Sequence, residues 1–331
     1  MTTVAHDVAS MRTDAHGGAG LGLAVVSAAS FGLSGALASG LMEAGWSAAG
    51  AVTARVVVAA LVLAVPAARM MRGRLRELSL HARLVAVYGA VAIAGCQLAY
   101  FNAVRRMDVG VALLIEYTAP VAVVLWLWLR HGRRPGRTTV AGGVIALTGL
   151  VLVLDLIGDV HPDPLGVLWA LGAMAGAVVY FVLSASTEDT LPPLVLAAGG
   201  LAVGAVVLGV AGAIGVLSLS MSTHTVDYVG HTVPWWLPVL ALGVVTAGLA
   251  YVSGIAATRR LGARVASFVA LLEVLFAVLF AWLLLDQLPR GVQFAGAAMV
   301  IAGIVVVKLG AGAPGQLSSP KPATTSRSAP S

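Results

Sequence analysis

Three ionisable side chains, Arg55, Glu116 and Glu273, lie inside long apolar stretches of this chain. A charge at the centre of a membrane helix costs ~2.5–3.5 kcal/mol on insertion scales, so such residues face a cavity or a partner rather than lipid. Glu116 opens the run Glu116-Tyr117-Thr118-Ala119-Pro120. Pro120 has no N–H, so the Glu116 carbonyl loses its usual donor and the helix is expected to kink there. A freed carbonyl beside a carboxylate, with Tyr117 and Thr118 adjacent, makes a ligand or proton site. A carboxyl in that setting suits a group that gains and loses a proton during a cycle. Arg55 has two readings: its fork holds a substrate carboxylate, or it forms a permanent ion pair with Glu116. Glu273 has Ser267 as its polar neighbour and no proline four residues on. It reads as the second member of a charge-compensating pair.

Gln97 and Tyr100 stand at i and i+3, on one helical face, and are candidates for the same cavity wall. Asn102 is turned about 140° from Gln97 on a helix and reads as a bridge between helices. Trp169, Tyr180 and Tyr251 lie deep enough to be weighed as stacking surfaces, while Trp46, Trp128, Trp235, Trp236 and Trp282 lie near span ends and read as an interfacial belt.

The elements that must carry these residues are membrane helices. Hydrophobic residues make up 59% of the 331 and charged residues 10%, too little charge for the surface of a soluble domain of that size. Crossing the ~30 Å hydrocarbon core takes roughly 20 apolar residues. Ten stretches meet that test: 20–41, 46–66, 84–104, 109–129, 138–156, 164–184, 192–217, 234–257, 265–285 and 291–309. No barrel-like alternation is present, so the fold class is an all-α membrane protein. Residues 1–19 read as a polar N-terminal tail and 310–331, rich in Gly, Pro, Ser and Thr, as a disordered C-terminal tail. Glu116 falls roughly 10 Å into its span and Glu273 roughly 12 Å into its own, from opposite faces.

The chain also repeats. Tyr100–Leu154 and Ser253–Val307 share one pattern at an offset of about 153 residues, which sets Ala103 on Ala256, Arg106 on Arg259, Val121 on Val274, Arg137 on Arg290 and Gly143 on Gly296. Gly22, Ala29 and Gly32 return as Gly166, Ala173 and Gly176. The first apolar stretch is therefore structural, although Ala36-Leu37-Ala38 resembles a signal cleavage site. Two five-helix repeats follow, 20–157 and 158–309. Five is odd, so the second enters the membrane from the opposite side: the repeats are inverted, with a site expected between them near mid-membrane. The basic clusters Arg69–Arg83, Arg130–Arg137 and Arg259–Arg264 fall on one side, against Arg105, Arg106 and Arg290 on the other. The positive-inside rule then sets both termini in the cytoplasm. Small-residue runs such as Gly32-x3-Ala36-x3-Gly40, Gly172-x3-Gly176 and Gly200-x3-Gly204 allow close helix approach.

Several chemistries are excluded. There is no Walker A sequence, and the one G-x-G-x-x-G, Gly310-Gly312-Gly315, lacks the strand and helix that a dinucleotide site needs. The seven histidines lie outside the spans without metal-ligand spacing, and the single cysteine, Cys96, forbids an internal disulfide. No cofactor, metal or nucleic-acid partner is implied, and no enzyme activity. The partners expected are a small-molecule substrate, the lipid bilayer and protons as coupling ion; a homodimer is compatible with the sequence.

At Val109–Pro120, with its Glu-aromatic-Thr-small-Pro run, and at the basic turn Arg130–Arg137, the chain resembles the drug/metabolite transporter superfamily. It is most similar to the EamA-type members and, among them, to the threonine/homoserine exporter branch. The resemblance covers 20–309 and is weaker in the seventh span and the 218–233 loop. It implies ten spans, inverted repeats and export of small metabolites, commonly amino acids, often by proton exchange. Two departures stand out: Glu273-Val274 replaces the usual Glu-Pro, and Asp286 replaces a glutamate that often closes the ninth span. Arg55 matches an arginine common in the second span. The function expected is thus a secondary exporter in the cytoplasmic membrane working by alternating access, with an uncoupled facilitator or importer of other metabolites or drugs as the alternative.

Overall fold

The computed structural model describes residues 2–73, 75–132, 134–156, 163–186 and 191–311, without the side chains of 2–17, 75 and 78. Its helices are α1 (Thr2–Glu43), α2 (Ala48–Met70), the short α3 (Leu75–Leu80), α4 (Ala82–Val104), α5 (Val109–His131), α6 (Arg137–Val153), α7 (Pro164–Ser186), α8 (Pro193–Ala213), α9 (Trp236–Ala270), α10 (Leu272–Leu285) and α11 (Gly291–Ala311). Among the described residues, eight helices are long and apolar enough to cross a membrane, with the first counted from Gly18. α6 and α10 are apolar but shorter.

The differences from the expected spans have local causes. α9 runs through the eighth stretch into the ninth, broken at Gly262, whose φ of 74° and ψ of 158° leave the helix. A side chain bearing Cβ is strained at that φ, so glycine is needed there. The ninth stretch is divided again at Leu271, between α9 and α10. α1 is helical from Thr2, where an irregular tail was expected, and α11 extends to Ala311. The rest of the expected disordered tail, 312–331, lies outside the described residues.

A feature not foreseen is a hairpin in the long loop before α9. Strands β1 (Val226–Tyr228) and β2 (His231–Val233) pair antiparallel, Val226 opposite Val233, around Val229 and Gly230. Both turn residues have positive φ, 43° and 77°, as a two-residue hairpin with the right twist requires. The Tyr228 hydroxyl donates to the Leu37 carbonyl of α1 at 2.7 Å, with its ring against Gly40. Trp46 is buried here with its indole N–H on the Ser222 carbonyl, so it belongs to this cluster rather than to an interfacial belt.

Helix contacts follow a reciprocal scheme. α1 lies against α9 and α10, while α7 lies against α4 and α5; α2 meets α8, and α6 meets α11. The α6–α11 seam is backbone on backbone. A methyl group on Gly149 would come within 2.6 Å of the Gly296 carbonyl oxygen, and one on Gly296 within 2.6 Å of the Gly149 carbonyl oxygen. Such small-residue seams replace hydrophobic driving force with close van der Waals contact in lipid.

Candidate functional site

One cavity of about 160 Å³ collects polar side chains from seven helices. Ser27 and Phe31 come from α1, Arg55 from α2, Cys96 and Gln97 from α4, and Glu116, Tyr117 and Pro120 from α5. Tyr180 comes from α7, Tyr251, Thr258 and Ser267 from α9, and Glu273 from α10. A water needs roughly 10–15 Å³ by this kind of measure, so the space holds a solute of several heavy atoms.

α5 is broken where the sequence places its proline. Glu116 ends the first helical piece, Val109–Glu116; Tyr117 and Thr118 form a turn; Ala119–His131 resumes with Pro120 in its first turn. The Thr118 hydroxyl donates to the Ile115 carbonyl at 2.6 Å, and the Thr118 N–H donates to the same oxygen at 3.1 Å. Proline suits a helix start because the N–H it lacks would have no partner there. At the end of the first piece, Glu116 accepts from the Cys96 thiol, Sγ to Oε1 3.4 Å.

α9 and α10 give the counterpart. The Leu271 N–H donates to Phe268 and the Val274 N–H to the Leu271 carbonyl, so the helix restarts at Leu272 and Glu273 stands in its first turn. Tyr117 lies against Glu273 and interacts with it across the cavity. α1 reaches the same place: a methyl on Gly32 would lie 2.7 Å from the Glu273 carbonyl oxygen.

Arg55 is buried, with 6% of its surface exposed, and both terminal nitrogens serve the protein. Nη1 donates to Ser34 Oγ at 2.9 Å and Nη2 to the Thr246 carbonyl at 2.7 Å. Its guanidinium carbon lies 5.5 Å from the Phe31 ring centroid, a cation–π distance. Nε is buried without a partner. Among the described residues Arg55 forms no ion pair with Glu116. The Thr246 carbonyl belongs to a wide π-helical turn, Val244–Leu249, where the Ala250 N–H reaches back five residues to Val245. α4 carries a similar turn, Tyr88–Gly95, where the Cys96 N–H reaches Val91. Such turns frequently interrupt a helix at functional sites.

Of the residues singled out from the sequence, Arg55, Gln97, Glu116, Tyr117, Pro120 and Glu273 line this one cavity, as do Tyr180, Tyr251 and Ser267. Tyr100 and Thr118 do not. Tyr100 sits in a side cluster with Ala112, Ala170 and Ile115 and meets the Phe101 ring edge-on. Residues at i and i+3 differ by about 60° around a helix, enough for a narrow cavity to touch one and miss the other. Thr118 turns its hydroxyl to its own backbone and to Met174 Sδ. Asn102 donates to the Leu98 carbonyl of its own helix, so it is not an interhelical bridge. Trp169 lies on the outer surface. Sequence reasoning missed Cys96, Ser27, Phe31 and Thr258 as lining residues. Ser27 and Phe31 stand at i and i+4, a spacing that offered a signal; Cys96 had only its place beside Gln97.

The EamA-like transporter family profile matches residues 18–155 and again 164–309. The chain belongs to the EamA-like transporter family. Two family domains in one chain account for the internal repetition, and the family is one of membrane transporters rather than enzymes. Its relatives include the threonine/homoserine exporter RhtA of Salmonella typhimurium, 26% identical over 66% of this chain and 69% of that one. The RhtA of Escherichia coli is 30% identical over 36% and 39%, and the uncharacterized transporter YwfM of Bacillus subtilis 32% identical over 31% and 36%. A solved crystal structure of a protein 22% identical superposes with a TM-score of 0.70, covering 87% of this chain and 98% of the other, which supports the fold alone. This EamA-family chain is thus a multi-pass membrane protein close to the RhtA branch.

Proposed function

We propose that the protein is a secondary exporter of amino acids or similar small metabolites, working by alternating access with proton antiport. In this reading ten helices cross the cytoplasmic membrane as two inverted five-helix repeats, 20–157 and 158–309, with both termini cytoplasmic. The eight long helices, the break at Gly262 and the shorter α6 and α10 support ten crossings. The observation that carries the function is the convergence of Glu116 and Glu273, one from each family domain, on one cavity. A pair of carboxylates between two halves is an exchange site for protons and a solute, because each half supplies one when it rocks. The RhtA relatives, named as threonine/homoserine exporters, favour amino acids and outward movement.

Glu116 is assigned the proton, and Tyr117 and Gln97 the cavity walls. Arg55 becomes a brace between α1, α2 and the wide turn of α9, since its terminal nitrogens are already engaged. The test is efflux of radiolabelled amino acids from proteoliposomes with and without an imposed pH gradient. Gradient-driven movement of at least one amino acid is expected. Movement indifferent to the gradient would replace the antiporter with an uncoupled facilitator.

A further inference from the structure

The charged groups lining the cavity are two carboxylates and one guanidinium, and the guanidinium already serves the protein through both terminal nitrogens. Arg55 spends Nη1 on Ser34 and Nη2 on the Thr246 carbonyl, lies over Phe31, and keeps Nε out of reach of solvent. A solute carboxylate would therefore meet two negative side chains against a single guanidinium whose two terminal nitrogens already serve the protein. A positive group meets the reverse. Glu116 and Glu273 face it, and behind them stands a continuous wall of rings. Phe31 and Tyr251 meet edge to face at 5.1 Å, and Tyr251 and Tyr180 at 5.9 Å. Ring faces attract cations, and Arg55 over Phe31 shows this wall already holding one.

We propose that the cavity selects its solute by a protonated amine, held between Glu116 and Glu273 against the Phe31–Tyr251–Tyr180 wall, and does not require a carboxylate. The inference rests on the cavity being the transport site, and it changes the substrate class. Amines without a carboxyl group belong to it, while hydroxy acids of the same skeleton do not. Charge supports this reading. With both carboxylates ionised, a monovalent amine neutralises the pair together with the guanidinium, whereas an anion would leave three negative groups against one positive. A zwitterion is accepted through its ammonium end, with its carboxylate directed toward the side-chain amide of Gln97, since the Ser267 and Thr258 hydroxyls already donate to the Arg264 and Gly254 carbonyls.

The test is binding to the purified full-length protein, followed as ligand-induced thermal stabilisation. Three matched probes are used: threonine, its decarboxylated analogue 1-aminopropan-2-ol, and 2,3-dihydroxybutanoate. The amine is expected to bind, and the hydroxy acid to bind weaker by about tenfold or more, since a desolvated charge is left unpaired when its partner is missing. Glu273→Gln should weaken the amine by a similar factor, while Tyr228→Phe, far from the cavity, leaves it unchanged. Both variants must elute as monodisperse protein. Hydroxy-acid binding without amine binding overturns the proposal, and so does the absence of any amine binding. The exporter reading fails separately: amine binding without amino-acid efflux from proteoliposomes sinks export and spares recognition. Efflux without amine binding does the opposite.

Discussion

The fourth and ninth spans carry the same break with the carboxylate on opposite sides of it. At the offset of about 153 residues that relates the halves, Thr118 falls on Leu271, and these are the turn residues of α5 and of the α9–α10 junction. Pro120 then falls on Glu273. Both occupy the first turn of the resumed helix. Each answers the same need differently: proline removes an N–H that would lack a partner, and a carboxylate sits favourably at the positive end of the helix dipole. Glu116 ends the helix before its break, where the dipole opposes a negative charge. The two acids thus look alike in composition and differ in electrostatic placement. The dipole opposes charge on Glu116 more than on Glu273, and in the proposed cycle Glu116 exchanges the proton while Glu273 holds the cation.

That contrast is broken most directly at Glu116. Glu116→Gln keeps the shape and removes the exchangeable proton, so gradient-driven efflux should fall by about a hundredfold or more, the scale of a lost general acid–base group. Counterflow, in which labelled and unlabelled solute exchange without net proton movement, should survive. Glu273→Gln should instead weaken solute affinity in both assays. If the two variants behave alike, the dipole argument for separate roles is wrong.

The next effect in size tests the braces of the two wide turns. The turn in α9 is tied by Arg55 through the Thr246 carbonyl and by Ser27 Oγ on the Ala250 carbonyl, 2.9 Å. The turn in α4 is held by close fit: a methyl on Gly204 would lie 2.8 Å from Ile93, and one on Gly89 would meet the Gly200 carbonyl. Arg55→Met should therefore cost about 3 kcal/mol of stability, the scale of losing two charge-assisted hydrogen bonds, seen as a lower melting temperature in detergent. Arg55→Lys, a single point charge in place of a fork, should recover only part of it. A carboxylate-anchoring role for Arg55 would instead leave stability intact and lower solute affinity.

Much of this was legible in the chain. A charge in an apolar span must find a cavity, which located Arg55, Glu116 and Glu273, and Pro120 announced the break in α5. The matching break at Leu271 carried no signal, because Val269–Val274 holds neither proline nor glycine and is held open by tertiary contacts such as Gly32 against the Glu273 backbone. Tyr100 was misplaced because helical spacing gives an angle and not the width of a cavity. The hairpin escaped notice because its first turn residue is Val229, a β-branched side chain that resists positive φ. The partners of Arg55 were also illegible: Ser34 is one serine among many, and the Thr246 carbonyl is a backbone group freed only by a wide turn.

The smallest expected effect is at Pro120, and it tests whether the break in α5 belongs to the proline or to the fold. α10 restarts without a proline, so the break at Thr118 should also persist when Pro120 becomes alanine. Alanine restores an N–H in the first turn, where intrahelical acceptors are absent in any case, and the Thr118 hydroxyl still competes for the Ile115 carbonyl. Pro120→Ala should then change stability by less than about 1 kcal/mol and efflux by only a few-fold, well short of the 3 kcal/mol scale of an interior helix proline. A large gain in stability with loss of efflux would mean that the helix had closed through Tyr117. Glu116 would then lie inside a continuous helix, and the likeness between the two breaks would be a coincidence of position. A small change in both quantities would mean that the turn is imposed by the surrounding helices, as it already is at Leu271.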